Sequence, residues 1–228
     1  MLKRMLDICL TGVALVILFL LLPPIALALR LTGEGEIFYI QPRVGKNGEH
    51  FGLVKFATML KNSPNLPGGD ITVSNDPRLL PQGKFFRKTK INELPQLWNV
   101  FKGDMSLVGP RPLTPKNFSM YPPQIQEEIK TMQPGITGVG SIIFRDEESI
   151  INRSEKSAHE CYRDDIAPYK GKLELWYKKN RSFWLDIKLL FLTAWTIVFP
   201  QSRINESILK GLPERPESLG LEKGLTQH

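Results

Sequence analysis

Twenty-two consecutive uncharged residues run from Ile8 to Leu29, closed by Asp7 on one side and Arg30 on the other. About 20 apolar residues suffice to cross a bilayer core, so this run commits the first part of the chain to lipid. It also exceeds the ~7–15 apolar residues of a secretory signal core. Pro23-Pro24 interrupts it, and two adjacent prolines remove two helix donors, which predicts a break. Lys3 and Arg4 precede the run and Arg30 follows it. Positive charge at both ends favours a segment that enters and returns on the cytoplasmic face over one that crosses. The expectation is therefore a re-entrant membrane helix over residues 1–33, bent at Pro23-Pro24.

The remainder is of a size for a single domain, taken as 34–200, followed by a weakly ordered tail over 201–228 that contains Pro213 and Pro216. Two short β-rich runs, Ile37–Ile40 and Phe51–Phe56, flank Asn47-Gly48 and predict a tight hairpin. Elsewhere helix signals dominate: Pro122-Pro123 opens and Pro134-Gly135 closes one segment. The fold class expected is α/β, mainly helical with a small β-hairpin or sheet. From Ser182 to Pro200, charges appear early and the apolar part is too short to span. With Trp184 and Trp195 placed to meet an interface, this stretch reads as an amphipathic helix lying in the membrane surface. A buried core helix is the competing reading.

Thirty Lys+Arg against twenty-three Asp+Glu give +7, a balance suited to phosphate-bearing partners or anionic lipid. Nucleic acid would suit the same charge, but neither a zinc-finger spacing nor an RNA-binding aromatic signature is present, so no nucleic-acid partner is expected. A phosphate-binding P-loop and a dinucleotide fingerprint are also absent. Cys9 and Cys161 are too few and too far apart for a disulfide framework or a metal site.

Chemistry concentrates between Lys88 and Pro112, KTKINELPQLWNVFKGDMSLVGPRP. Asn92 three residues ahead of Pro95 suits a helix N-cap, since a proline in the first turn gives up no intrahelical bond. Glu93 would then sit at a helix N-terminus, where a phosphate also binds well. Gly109-Pro110-Arg111-Pro112 presents a guanidinium able to grip phosphate bidentately.

This stretch resembles the signature of the bacterial sugar transferases, the monotopic phosphoglycosyl transferases. Their pattern runs basic residue, Ser/Thr, two residues, Asp-Glu, Leu-Pro-Gln, then Asn-Val-Leu-Lys-Gly-Asp-Met-Ser and Gly-Pro-Arg-Pro. Further matches are Arg43-Val44-Gly45, Lys55-Phe56-Ala57-Thr58-Met59, Pro134-Gly135-Ile136-Thr137-Gly138, Arg145 and Leu185–Lys188. The resemblance implies transfer of a sugar-1-phosphate from a nucleotide sugar, usually a UDP-sugar, to a polyprenyl (undecaprenyl) phosphate at the inner leaflet of the bacterial cytoplasmic membrane. It implies Mg²⁺ as cofactor, here on Glu93 and Asp104, and phosphate contacts from Arg43, Lys55, Arg111 and Arg145. Membrane lipids, a second copy of the chain and later glycosyltransferases of glycan assembly are the other partners it suggests. Two positions depart. Ala57 stands where the family has Arg or Lys, and Asn92 stands at the family's nucleophilic Asp, where a neutral amide oxygen is a poor nucleophile. The phosphosugar would then pass directly to the lipid phosphate, or Glu93 or a carboxylate among Asp146, Glu147 and Glu148 would carry the chemistry, unless the chain is a catalytically silent membrane scaffold. The acidic trio equally suits a solvated first helical turn.

Overall fold

The computed structural model describes residues 2–66, 71–72, 76–199 and 208–219. Its first element, α1 (Leu2–Thr32), is helical throughout. The expected break at Pro23-Pro24 is therefore corrected. A proline's φ near −65° is already helical, and the pair removes only the donors that would meet the Phe19 and Leu20 carbonyls. Val13, Val16, Phe19, Leu20, Leu27 and Leu31 stand exposed along α1. Such a surface is stable against lipid and unfavourable in water. Among the described residues it is the one helix long and apolar enough to cross a membrane.

Both ends of α1 are nevertheless tied to the rest of the chain. Near the start, Lys3 Nζ donates to the Val108 carbonyl at 2.9 Å and to Asp186 at 2.5 Å. Arg4 reaches the Val100 and Phe101 carbonyls at 2.6 and 2.7 Å. Buried Asp7 accepts from Ser106 Oγ at 2.8 Å and from the Leu107 N–H at 3.0 Å. Towards the other end, Leu18 and Leu29 form a small core with Phe56 and Phe86.

β1 (Phe38–Val44) and β2 (His50–Phe56) form the expected antiparallel hairpin. Asn47 at φ 58° and Gly48 at φ 79° make its turn, backbone values that Asn and Gly tolerate best. Tyr39 pairs with Lys55 and Arg43 with Phe51, so Arg43 and Lys55 share one face of the ribbon. Then come α2 (Gly83–Lys88), α3 (Gln96–Lys102), β3 (Ser106–Val108), α4 (Pro115–Phe118), α5 (Pro123–Lys130) and β4 (Gly135–Thr137). β3 and β4 pair in parallel, Ser106 with Gly135 and Val108 with Thr137. The chain ends through α6 (Val139–Ile143), α7 (Glu147–Arg153), α8 (Ala158–Cys161), α9 (Ala167–Asn180) and α10 (Phe183–Val198). The α/β, mainly helical expectation holds.

The main core gathers Val108, Val139, Tyr162, Ile166, Leu173 and Leu189 with their neighbours. α10 meets both readings of its sequence, one on each face. Asp186, Leu189, Leu192 and Thr196 are buried, whereas Trp184, Phe191, Ile197 and Val198 are exposed. Trp195 packs at a tilt between Phe191 and Phe199, with ring centroids 5.9 and 4.5 Å away. Of the tail, 201–207 and 220–228 lie outside the described residues. The stretch 208–219 is docked rather than loose: Leu209 and Leu219 are buried in the main core, and Tyr169 Oη donates to the Pro213 carbonyl at 3.0 Å.

Candidate active site

The segment Lys88–Pro112 brings its charges together through two changes of chain direction. Lys90 adopts a left-handed backbone, φ 61°, immediately before a 3₁₀ turn over Ile91–Glu93. A non-glycine residue held there is strained by ~1–2 kcal/mol, a kind of strain that collects at functional sites. α3 starts later, with Pro95 at its N-cap. Asn92 thus lies inside the 3₁₀ turn and caps nothing, a correction to its expected role. It is 5% exposed, and its Oδ1 has no donor among the described residues. Since a buried polar atom without a partner is unfavourable by ~1–3 kcal/mol, this oxygen is held there by the turn itself.

Glu93 faces Arg111, with Arg111 Nη2 donating to Oε1 at 2.8 Å. The two side chains are 13% and 32% exposed. Arg111 follows β3 through Gly109, where a Cβ would lie 2.3 Å from the Gln133 carbonyl, so only glycine permits this approach. Arg43 donates to the Pro112 carbonyl at 3.0 Å, which fixes it beside Arg111. Lys55 joins from β2, within electrostatic reach of Arg43, Glu93, Arg111 and Arg87.

Two basic residues that the sequence reading passed over complete the group. Arg87, at the end of α2, donates to Thr72 Oγ1 at 2.8 Å and meets Glu148 Oε1 at 3.4 Å. Lys90 interacts with Glu93, Arg111, Arg87 and Glu148. The available signal was the basic run Arg87-Lys88-Thr89-Lys90, but only packing tells which of its charges turn inward.

The field of this cluster is visible in its protonation. Desolvation pushes the Glu93 carboxyl upward, yet Arg111, Lys90 and Lys55 outweigh it and hold the group well below the usual carboxylate range. Desolvation pulls the Lys55 ammonium well below its ordinary value, and Arg43 adds to this while Glu93 opposes it. Lys90, though solvent-accessible, is lowered by its crowded recess in the same way. Cations outnumber carboxylates here, so the site is built to be completed by an anion with several charges.

Beneath it lies a buried polar layer. Lys170, 4% exposed, bonds Glu147 and sits 5.4 Å above the Phe144 ring and 5.9 Å above that of Tyr162. Tyr121 and Tyr162 share a hydrogen bond, and both hydroxyls are raised by burial. Glu174, 3% exposed, accepts a backbone hydrogen bond from Gly140. Glu147 joins layer to site, since its charge also acts on Arg111. The acidic trio is therefore only partly a solvated helix start.

Other expected residues are placed elsewhere. Asp104 accepts from Asn99 Nδ2 at 3.1 Å and Lys102 at 3.3 Å, beyond the far end of α3 from Glu93. The two lie beyond opposite ends of α3 and have different partners, Arg111 for Glu93 and Asn99 with Lys102 for Asp104. Among the described residues no cluster of three metal-ligating side chains occurs. Arg145 has Asp146 as its charge neighbour, and its Nη1 is buried without a partner among the described residues. Ala57 is buried on the wall of a cavity of about 230 Å³ that it shares with Glu34, Glu36 and Tyr39.

A family model described as bacterial sugar transferase matches residues 1–200. Undecaprenyl-phosphate glucose phosphotransferase of Komagataeibacter xylinus is 35% identical over 205 residues, 88% of this chain and 36% of that protein. Undecaprenyl-phosphate galactose phosphotransferase of Salmonella typhimurium is 34% identical, covering 85% of this chain and 40% of that one. UDP-glucose:undecaprenyl-phosphate glucose-1-phosphate transferase of Escherichia coli is also 34% identical, covering 85% and 39%. The chain spans about two-fifths of the length of these relatives.

Proposed function

We propose that this chain, which belongs to the bacterial sugar transferase family, transfers a sugar-1-phosphate from a nucleotide sugar to a polyprenyl phosphate at a membrane surface. The observation that carries this reading is the convergence of the five basic residues Arg43, Lys55, Arg87, Lys90 and Arg111 about Glu93, with Glu148 at the edge of the group. A diphosphate supplies the negative charge that this group lacks, and α1 offers the apolar flank that a lipid phosphate needs. The relatives' names, which specify undecaprenyl phosphate and in one case UDP-glucose, support a UDP-sugar and undecaprenyl phosphate as the pair of substrates.

In this site Arg111 grips phosphoryl oxygens from an orientation set by Glu93 and the Gly109 turn. Desolvation disfavours the charged form of Lys55, and the diphosphate, as an adjacent anion, stabilises that form. Mg²⁺ would be held at this site through the Glu93 carboxylate, a hard oxygen ligand of the kind that ion takes. The ion would offset charge on the transferred phosphoryl group.

The attachment of both ends of α1 to one domain supports a monotopic chain on the cytoplasmic face of the inner membrane. Cysteine labelling at positions 8 and 30 in sealed vesicles tests it, and labels entering from opposite sides would overturn it. The activity is tested in nanodiscs by following nucleoside monophosphate released from UDP-glucose, UDP-galactose and UDP-N-acetylgalactosamine with undecaprenyl phosphate. One specific observation, the amide at Asn92, favours a second reading as a catalytically silent scaffold. Binding of a UDP-sugar without release of UMP would establish that one.

A further inference from the structure

If the chain is a transferase that works through an enzyme-bound phosphosugar, the carboxylate that attacks the sugar nucleotide cannot be residue 92, which is an amide. Glu93 is committed: it is enclosed, bonded to Arg111 at 2.8 Å and flanked by Lys55 and Lys90. A carboxylate whose basicity is so strongly suppressed is a weak nucleophile. Glu147 is likewise engaged, by the buried Lys170. Glu148, one residue along the first turn of α7, faces the same basic group and is held loosely. Its side chain is 48% exposed and its ion pair to Arg87 measures 3.4 Å, longer than the ~2.7–2.9 Å of a strong charge-assisted bond. Arg87 is itself fixed by Thr72, and Lys90 lies within the field of Glu148. A diphosphate that draws Arg87 and Lys90 onto its oxygens releases Glu148 at the place where those oxygens are held.

We propose that Glu148 is the covalent nucleophile of this chain, replacing the carboxylate missing at Asn92; the proposal rests on the transferase reading above. A Glu148 oxygen attacks the β-phosphorus of the nucleotide sugar. The bond from that phosphorus to the bridging oxygen breaks, and its electron pair leaves on the nucleoside monophosphate. The acyl phosphate so formed on Glu148 carries the sugar. An oxygen of the polyprenyl phosphate then attacks the same phosphorus, the phosphorus–oxygen bond to Glu148 breaks, and the free carboxylate returns. Both attacking groups are anions, so no proton need move in either step. The buried, donorless Oδ1 of Asn92 plays no covalent part.

The test uses the full chain in nanodiscs with each of the three UDP-sugars and no lipid phosphate, followed by acid quench, digestion and mass spectrometry. Expected is a burst of up to about one equivalent of UMP and a hydroxylamine-labile phosphosugar on the peptide containing Glu148. Glu148→Gln should remove burst and adduct and lower turnover on the order of 10³-fold or more. Glu148→Asp should retain part of each, which separates loss of the carboxylate from loss of the fold. An adduct on Glu93 or Glu147, turnover with lipid but no adduct, or turnover of Glu148→Gln within about tenfold of the unaltered chain would each overturn the assignment. Absence of UMP from every sugar even with undecaprenyl phosphate present would instead remove the transferase reading, and this proposal with it.

Discussion

Glu174 offers a quantitative check on the polar layer beneath the site. Burial, opposed by Lys170 and the Gly140 N–H, raises its carboxyl from 4.5 to about 7. The folded chain therefore holds this proton more tightly than the unfolded chain does. Below pH 4.5 both states are protonated and the group contributes no pH dependence. Between pH 4.5 and 7 the unfolded carboxyl ionises while the folded one does not, so stability falls by ~1.4 kcal/mol per pH unit. Above pH 7 the loss levels off at ~3 kcal/mol. Glu174→Gln keeps the shape and removes the titration. Its advantage over the unaltered chain should be least near pH 5 and grow to ~3 kcal/mol by pH 8, which for a chain of this size is ~6–12 °C in Tm. Thermal unfolding in nanodiscs at pH 5, 6, 7 and 8 measures it. A difference between the two chains that does not change with pH would refute the reasoning, because a constant offset reports packing and not a proton.

Lys55→Met removes a cation that faces the diphosphate; UDP-sugar affinity should fall by about tenfold, and unchanged affinity in a calorimetric titration would take Lys55 out of the site. Arg111→Ala removes a phosphate contact and leaves Glu93 without its ion-pair partner; nucleotide-sugar affinity should fall at least tenfold and stability by ~2–4 kcal/mol, whereas unchanged UDP-sugar binding would take Arg111 out of the site. Glu93→Gln should reduce UMP release far more than Asn92→Ala does, and equal losses would show that Asn92 takes part in the chemistry.

What could be read from the sequence was fixed by local chemistry. The hairpin followed from Asn47-Gly48, a pair whose backbone freedom the turn uses, and the lipid-facing helix from a run with no charge. Partners that meet only in the folded chain were not legible. Arg87 and Glu148 are separated by 61 positions, and Asp7 meets Leu107 across 100. Lys170 shows why. The segment Tyr169–Lys179 carries four lysines, at 170, 172, 178 and 179, and nothing in their order marks one as interior. The choice is made by Gly171, against which Ile125 packs so closely that an added Cβ would lie 2.8 Å from it. That contact brings α9 onto α5 and turns the preceding side chain towards Glu147. A buried lysine is unfavourable unless its charge is matched, and Glu147 is the carboxylate that matches it. The acidic trio that departs from the family's usual pattern is thus divided in function by the fold. Glu147 is consumed in satisfying Lys170, and Glu148, directed to the basic group by the same helical turn, is left with a charge that the interior does not need.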